Sequence, residues 1–216
     1  KYVQAGDKLK AMKCLLKSGD TEKIIFFAGV SRTREIYILA ANYLQTLDWH
    51  SDPEIMKNIV AFYTKAKAFE NLSAFYDACA QVEIDEYRDY EKALGALREA
   101  QMYLTKARVQ GKEDKLASLQ QRIAHVDGFV SARKMVKTEP NEMVAMCHQL
   151  LEQPDVEAAI RVGDVYALMV EWFYSQRQME QAHVLVEQMR GRGIILSPYL
   201  DQEMVHAIYG AMGLPV

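Results

Sequence analysis

Apolar side chains recur along this chain at helical spacing, and small residues recur among them. Five segments place an alanine, a second residue four positions on and a third three further. They are Ala11/Leu15/Ser18, Ala40/Leu44/Leu47, Ala68/Leu72/Phe75, Ala93/Leu97/Ala100 and Ala182/Val186/Met189. Positions so spaced share one helix face. The small residue lets a second helix approach, and the large one fills the groove beside it. The pattern predicts helices over 2–5 (the end of one), 8–18, 21–28, 32–48, 53–66, 68–83, 88–107, 113–136, 140–152, 156–176, 179–191 and 198–211. Alternation of strand type is scarce. Ile194-Ile195-Leu196 is the one candidate, and it reads as an extended packing segment.

Turn chemistry supplies the boundaries. Gly6-Asp7 and Gly19-Asp20 each read as a helix stop followed at once by a helix start. Glycine takes the left-handed conformation after a last turn, and an Asp carboxylate accepts the next helix's free N–H groups. Asp52-Pro53 is a cap followed by proline at the first helical position, and Ser197-Pro198 reads as the same opening for the last helix. Gly163-Asp164 is either another stop and start or a glycine inside a helix.

Small-then-large triads of this kind nest the second helix of a tetratricopeptide-type hairpin against its neighbours. Here the alanines step by 29, 28 and 25 residues from Ala11 to Ala40, Ala68 and Ala93. A standard unit is longer, roughly 34 residues. The best single unit is 165–194, with Tyr166, Met169, Val170 and Phe173 on its first helix and Ala182, Val186 and Met189 on its second. The expected fold is all-α: a right-handed solenoid of degenerate tetratricopeptide-like hairpins, interrupted by one over-long helix at 113–136. It is expected as one solenoid fragment over 1–216, with a hairpin block at 1–107, a long-helix region at 113–152 and a terminal hairpin block at 156–216. Lys1 is not a start methionine, so the chain reads as part of a longer polypeptide cut within its repeat array.

Composition narrows the function classes. Half of the residues are hydrophobic, and glycine (11) and proline (5) are too few for a turn-rich β protein. A formal net charge of -3 gives no reason to expect nucleic acid as a partner. No apolar run approaches the roughly 20 residues of a membrane span, so direct membrane insertion is not expected. Cys14, Cys79 and Cys147 lie far apart on helical segments and read as reduced, buried thiols. His50, His125, His148, His183 and His206 share no ligand spacing, and Cys147 and His148 are adjacent, so they diverge by about 100° on a helix. Neither a metal site nor a cofactor is expected, and no residue set spells a catalytic reaction.

Surface is therefore where function is sought. The acidic stretch Glu83, Asp85, Glu86, Asp89 and Glu91 lacks the glycine of a calcium loop. It reads as an inter-repeat loop with first-turn acids, or as a docking loop for a basic partner. Lys10, Lys13 and Lys17 form a solvated face, and Arg133, Lys134 and Lys137 end the long helix. Trp172-Phe173-Tyr174 spans more of a helix than one buried face can cover, which places Phe173 in the core and leaves Tyr174 partly exposed. Ile24-Ile25-Phe26-Phe27 is apolar all round and reads as a short helix buried between two layers. The partner-binding candidates are Trp172, Tyr174, Asp85, Glu86, Tyr87, Tyr90, Tyr199 and Tyr209.

A resemblance sharpens this. The stretch AGDKLKAMKCLLKSGDTEKIIFFAGVSRTREIYILAANYLQTLDW, continued by EIMKNIVAFYTKAKAFENLSAFYDACAQVEIDEY, DYEKALGALREA, IRVGDVYALMVEWF and the closing GLPV, covers nearly the whole chain. It resembles the C-terminal tetratricopeptide-like region of the large subunits of intraflagellar transport complex A, the family of its one-hundred-and-forty-kilodalton subunits above all. The resemblance implies a non-catalytic scaffold with other complex A subunits as partners, and membrane-protein cargo or an adaptor besides. It implies retrograde ciliary transport and ciliary entry of membrane cargo, at the cilium or flagellum, the ciliary base and the cytoplasm. Some related subunits end in Cys/His zinc modules, and none is spelled here. The alternatives are a peptide-groove repeat domain for cargo tails and a solenoid of the vesicle-coat type.

Overall fold

Eleven α-helices and one 3-10 turn follow one another in the computed structural model, which describes residues 2–216, with side chains from Gly6 onward. Lys1 lies outside the described residues. The helices are α1 (Tyr2–Ser18), α2 (Thr21–Ser31), α3 (Arg34–Leu44), α4 (Pro53–Lys65), α5 (Phe69–Asp85), α6 (Tyr90–Lys106), α7 (Lys112–Lys134), α8 (Pro140–Glu152), α9 (Val162–Ser175), α10 (Met179–Gly191) and α11 (Gln202–Ala211), with the 3-10 turn at Val156–Ala158. No strand occurs among the described residues. No helix there is long and apolar enough to cross a membrane. The class is all-α, as the periodicity predicts, and α7 is the over-long helix at 23 residues.

The chain forms two compact units, residues 1–79 with 96–116, and residues 80–95 with 117–216. In the first unit α3 packs on α4, and α1 and α2 pack beside α3. Its core holds Met12, Ile24, Ile36, Ala40, Leu44, Ile59, Phe62, Leu72 and Phe75. Tyr63 is buried with its hydroxyl satisfied, donating to Asn42 Oδ1 and accepting from Gln45 Nε2, each at 2.6 Å. In the second unit α9 packs on α10, with α8 beside α9 and α11 beside α10. Val165, Met169 and Val170 on α9 and the triad Ala182, Val186 and Met189 on α10 are all fully buried.

The triads mark burial with one exception. Ala40, Leu44, Leu72, Ala93, Leu97 and Ala100 have no exposed surface, Ala68 and Phe75 nearly none, and Leu47 is half-buried. Ala11 and Ser18 are exposed, and the buried residue of α1 is Met12. The apolar stripe of α1 runs Leu9/Met12/Leu15/Leu16, so its register is one residue later than the alanine suggested. Phe173 is half-buried rather than core, and Cys14 is exposed, while Cys79 and Cys147 are buried.

The turns divide the same way. Gly19 has φ 70°, its N–H reaches Leu15 O at 3.2 Å, and Asp20 Oδ1 accepts from Lys23 N at 3.2 Å, so stop and start are both real. Asp52 Oδ1 likewise accepts from Glu54 N at 3.0 Å and Ile55 N at 3.4 Å. Gly6-Asp7 is no turn, because α1 runs through it. The predicted helix 156–176 is broken after Val156–Ala158 and restarts at Val162, which leaves Gly163 inside the first turn of α9. Helix α3 ends at Leu44, not at 48. Ser197-Pro198 lies in a turn closed by Leu200 N to Leu196 O at 2.9 Å, and Asp201 caps α11 through Glu203 N at 3.0 Å.

Four helix exits carry no glycine at all. Arg32, Lys67, Arg88 and Arg177 sit at φ 49°, 52°, 51° and 57°. Two of them close with the pair of bonds that ends a helix: Lys67 N to Thr64 O and Ala68 N to Tyr63 O, then Arg177 N to Tyr174 O and Gln178 N to Phe173 O. A left-handed non-glycine residue is unfavourable by about 1–2 kcal/mol. A cation beside the free carbonyls of a last turn recovers part of it, about 0.3–1 kcal/mol.

Candidate interaction surface

The exit from α5 begins the site. Asp85 is the last residue of α5, Glu86 and Tyr87 follow in the turn, and Arg88 takes the left-handed conformation. Asp89 N–H then reaches Glu83 O at 2.8 Å, while Asp89 Oδ1 caps α6 through Lys92 N at 3.1 Å. This exit holds the exposed Tyr87, 54% accessible, against a hollow of about 530 Å³ lined also by Arg88, Glu91, Val130, Arg133 and Lys134.

Behind that turn lies a polar network. Tyr90, buried, donates to Asp164 Oδ2 at 2.6 Å and accepts from Arg161 N at 3.3 Å. Burial, reinforced by the Asp164 carboxylate, pushes the Tyr90 phenol well above its usual range. Arg88 lies 3.5 Å from the other Asp164 oxygen. Arg161 Nε donates to Tyr199 Oη at 3.1 Å, and its Nη1 donates to Asp85 O at 3.0 Å, where α5 leaves carbonyls free. The Tyr199 bond raises the Arg161 guanidinium further. Both guanidiniums also meet the Tyr199 ring, Arg88 at 4.7 Å and Arg161 at 5.4 Å from its centroid.

Tyr199 fits because of Gly163. A Cβ built on Gly163 would stand 2.3–2.5 Å from three ring carbons of Tyr199. Only a residue without one admits the ring. Beside the network, Arg133 lies 5.8 Å from the Tyr90 ring and 5.9 Å from that of Phe129. Burial raises the Glu171 carboxyl and the Arg133 charge opposes the shift.

The candidates read from sequence thus separate by position. Asp85, Glu86, Tyr87, Tyr90 and Tyr199 come together in this one region, with Asp85, Glu86 and Tyr87 exposed, Tyr199 half-buried and Tyr90 inside. Trp172 and Tyr174 are half-buried on α9. Tyr209 is buried, donating to the Glu187 carboxylate with His183 edge-on at 5.0 Å. Arg88, Arg161 and Asp164, which hold the network, were not among the candidates. The available signal was Gly163, a glycine with no turn to explain it.

The short helix α2 is open on one side, against the expected burial between layers. Phe26 and Val30, four residues apart, are 72% and 57% exposed, while Ile24 and Ala28 on the opposite face are fully buried. One face of α2 suffices for the first unit's core, so its other face stays outside. Among the described residues no three His, Cys, Asp or Glu side chains gather as a metal would need.

Two family models match the chain. The one describing the C-terminal TPR domain of intraflagellar transport protein 140 matches residues 70–190. The one describing the TPR domain shared by intraflagellar transport proteins 140 and 172 matches residues 1–62.

Proposed function

The chain belongs to the family of the C-terminal TPR domain of intraflagellar transport protein 140, and on that premise we propose that it is a non-catalytic scaffold which holds other subunits of intraflagellar transport complex A together. The observation that carries the reading is the family match. Tetratricopeptide-type repeats generally present surface for protein contact rather than a closed reaction site. In this reading the assembly serves retrograde ciliary transport and the entry of membrane cargo into cilia. The expected setting is the cilium or flagellum, its base and the cytoplasm.

The face assigned to docking is the exit of α5 with the neighbouring Tyr199, and the half-exposed Trp172 and Tyr174 of α9 are a second set of candidate anchors. Tyr87 is the anchor best placed to enter a partner, since aromatic side chains rimmed by charge are the commonest hot spots. Asp85 and Glu86 flank it as acids for a basic partner surface. Tyr90 and Tyr209, being buried, act by positioning what surrounds them. The test is capture of the remaining complex A subunits by the chain and by Tyr87→Ala, Trp172→Ala and Tyr174→Ala variants of unchanged thermal stability. Capture is expected to fall; undiminished capture by Tyr87→Ala removes the α5 exit from the reading, and undiminished capture by the other two removes α9.

A further inference from the structure

The first unit carries a second concave surface that the docking face leaves unused. A hollow of about 450 Å³ lies between the start of α3, the start of α5 and the end of α6. Arg34, Lys67, Lys106 and Arg108 line it, against the single carboxylate of Glu70. Glu70 is itself engaged by Lys115 at 3.8 Å. Four cations therefore face one space in a chain whose net charge is -3.

All four cations are exposed, and two of them are held in place by contacts of their own. Arg34 Nε donates to Ala66 O at 3.0 Å, which fixes the guanidinium at the exit of α4. Lys67 occupies the left-handed position at φ 52°, where glycine would be free of strain. Lys106 is held over two rings, 5.9 Å from Phe69 and 5.6 Å from Tyr103. Those rings stack at 6.1 Å, and Tyr103 stacks on Tyr76 at 5.7 Å. Ala68 and Val109 add apolar lining. The N-terminus of α5 opens here and acts in the same sense as the cations, while the C-termini of α4 and α6 act against them, so the side-chain charges carry the attraction.

We propose that this hollow binds an acidic, extended segment of a partner protein, its carboxylates on Arg34, Lys67, Lys106 and Arg108 and an apolar side chain against Phe69 and Val109. Charge complementarity selects an anion. The volume matches sites that hold a small ligand or a few side chains. Concavity disfavours a planar lipid surface, which cannot reach cations set around a hollow. The overall acidic balance disfavours a long nucleic acid.

The probe is a fluorescein-labelled peptide of alternating glutamate and leucine, titrated onto the 216-residue chain by anisotropy, with a glutamine-for-glutamate peptide as control. Lys67→Gly and Arg108→Ala remove charge without straining the backbone, and Lys10→Ala with Lys13→Ala on α1 controls for general charge. Expected are binding of the acidic peptide alone, weakening of roughly tenfold in the hollow double variant and less than about twofold in the α1 variant. Weakening that is equal in both variants, or absent from the hollow variant, overturns the proposal. So does tighter binding of anionic vesicles or of single-stranded RNA at the same residues. The hollow shares no residue with the Tyr87 face, so retention of subunit capture by the hollow variant leaves the docking reading intact while this one is decided.

Discussion

Replacing Gly163 by alanine puts a methyl where the Tyr199 ring now lies. Within a helix the change is ordinarily favourable, by up to about 1 kcal/mol, because alanine gives up less backbone freedom. Here the new Cβ would sit 2.3–2.5 Å from Cε2, Cζ and Cδ2 of Tyr199, far inside contact distance. The ring must therefore move away from Gly163. That breaks the 3.1 Å bond from Arg161 and lifts the ring from Arg88 and Arg161. The hydrogen bond contributes about 1 kcal/mol and each partly exposed cation–π contact about 0.5–1 kcal/mol. Gly163→Ala should therefore destabilise the folded chain by about 1–2 kcal/mol despite its better propensity. Urea unfolding followed by far-ultraviolet circular dichroism measures it, and the decisive comparison is the same substitution in a Tyr199→Ala background. With the ring gone the methyl has room, so the sign should reverse to a gain of a few tenths of a kcal/mol or more, a coupling of about 2 kcal/mol. A stabilising Gly163→Ala in the parent chain, or an identical effect in both backgrounds, would refute the assignment of Gly163 as the seat of Tyr199.

The left-handed exits give a matched pair. Arg177→Gly relieves a strained conformation at an exposed residue and should stabilise by about 0.5–1 kcal/mol, whereas Arg88→Gly also removes the Asp164 ion pair and the Tyr199 contact and should be net destabilising in the same urea assay. Thiol labelling separates the cysteines: maleimide should modify Cys14 promptly and leave the buried Cys79 and Cys147 until denaturant is added, and in the native chain Cys147 should resist labelling even at alkaline pH because burial pushes its thiol up to about 12. The thiolate is the disfavoured form inside, so the stability Cys147 lends the fold is complete below its unfolded value near 9 and is lost as pH rises toward 12.

Sequence rules succeeded where one turn of chain contains the whole cause. Gly19 and Asp20 stop and start helices with groups two to four residues away, and Asp52 does the same. They failed where a neighbour in space outvotes the local signal. Gly6-Asp7 is spelled like Gly19-Asp20, yet α1 runs through it without a break. Arg32, Lys67, Arg88 and Arg177 are invisible to a search for glycine, because each takes the left-handed conformation with a side chain that ordinarily avoids it. The interaction surface was half legible. Asp85, Glu86, Tyr87, Tyr90 and Tyr199 stand out in the sequence as charged or aromatic residues near a turn or helix start, but Arg161 has no local peculiarity, and Gly163-Asp164 reads as a turn or a helical glycine rather than as the seat of a ring.

By itself, then, the chain's periodicity determined that the protein is helical, that the motif alanines are buried (in four cases of five) and where most helices lie, since side chains at i, i+4 and i+7 share a face whatever the surroundings. Tertiary structure alone decided which residues 38 to 76 positions apart meet at Tyr90, Arg161 and Tyr199. It also decided which apolar faces stay outside, as at Phe26, and which cations share a hollow, as at Lys67 and Arg108. The reason is that a helical period fixes a direction around one axis, whereas a site needs the positions of several axes at once. Those follow from how unequal side chains fill the space between helices, a constraint no single turn of chain contains.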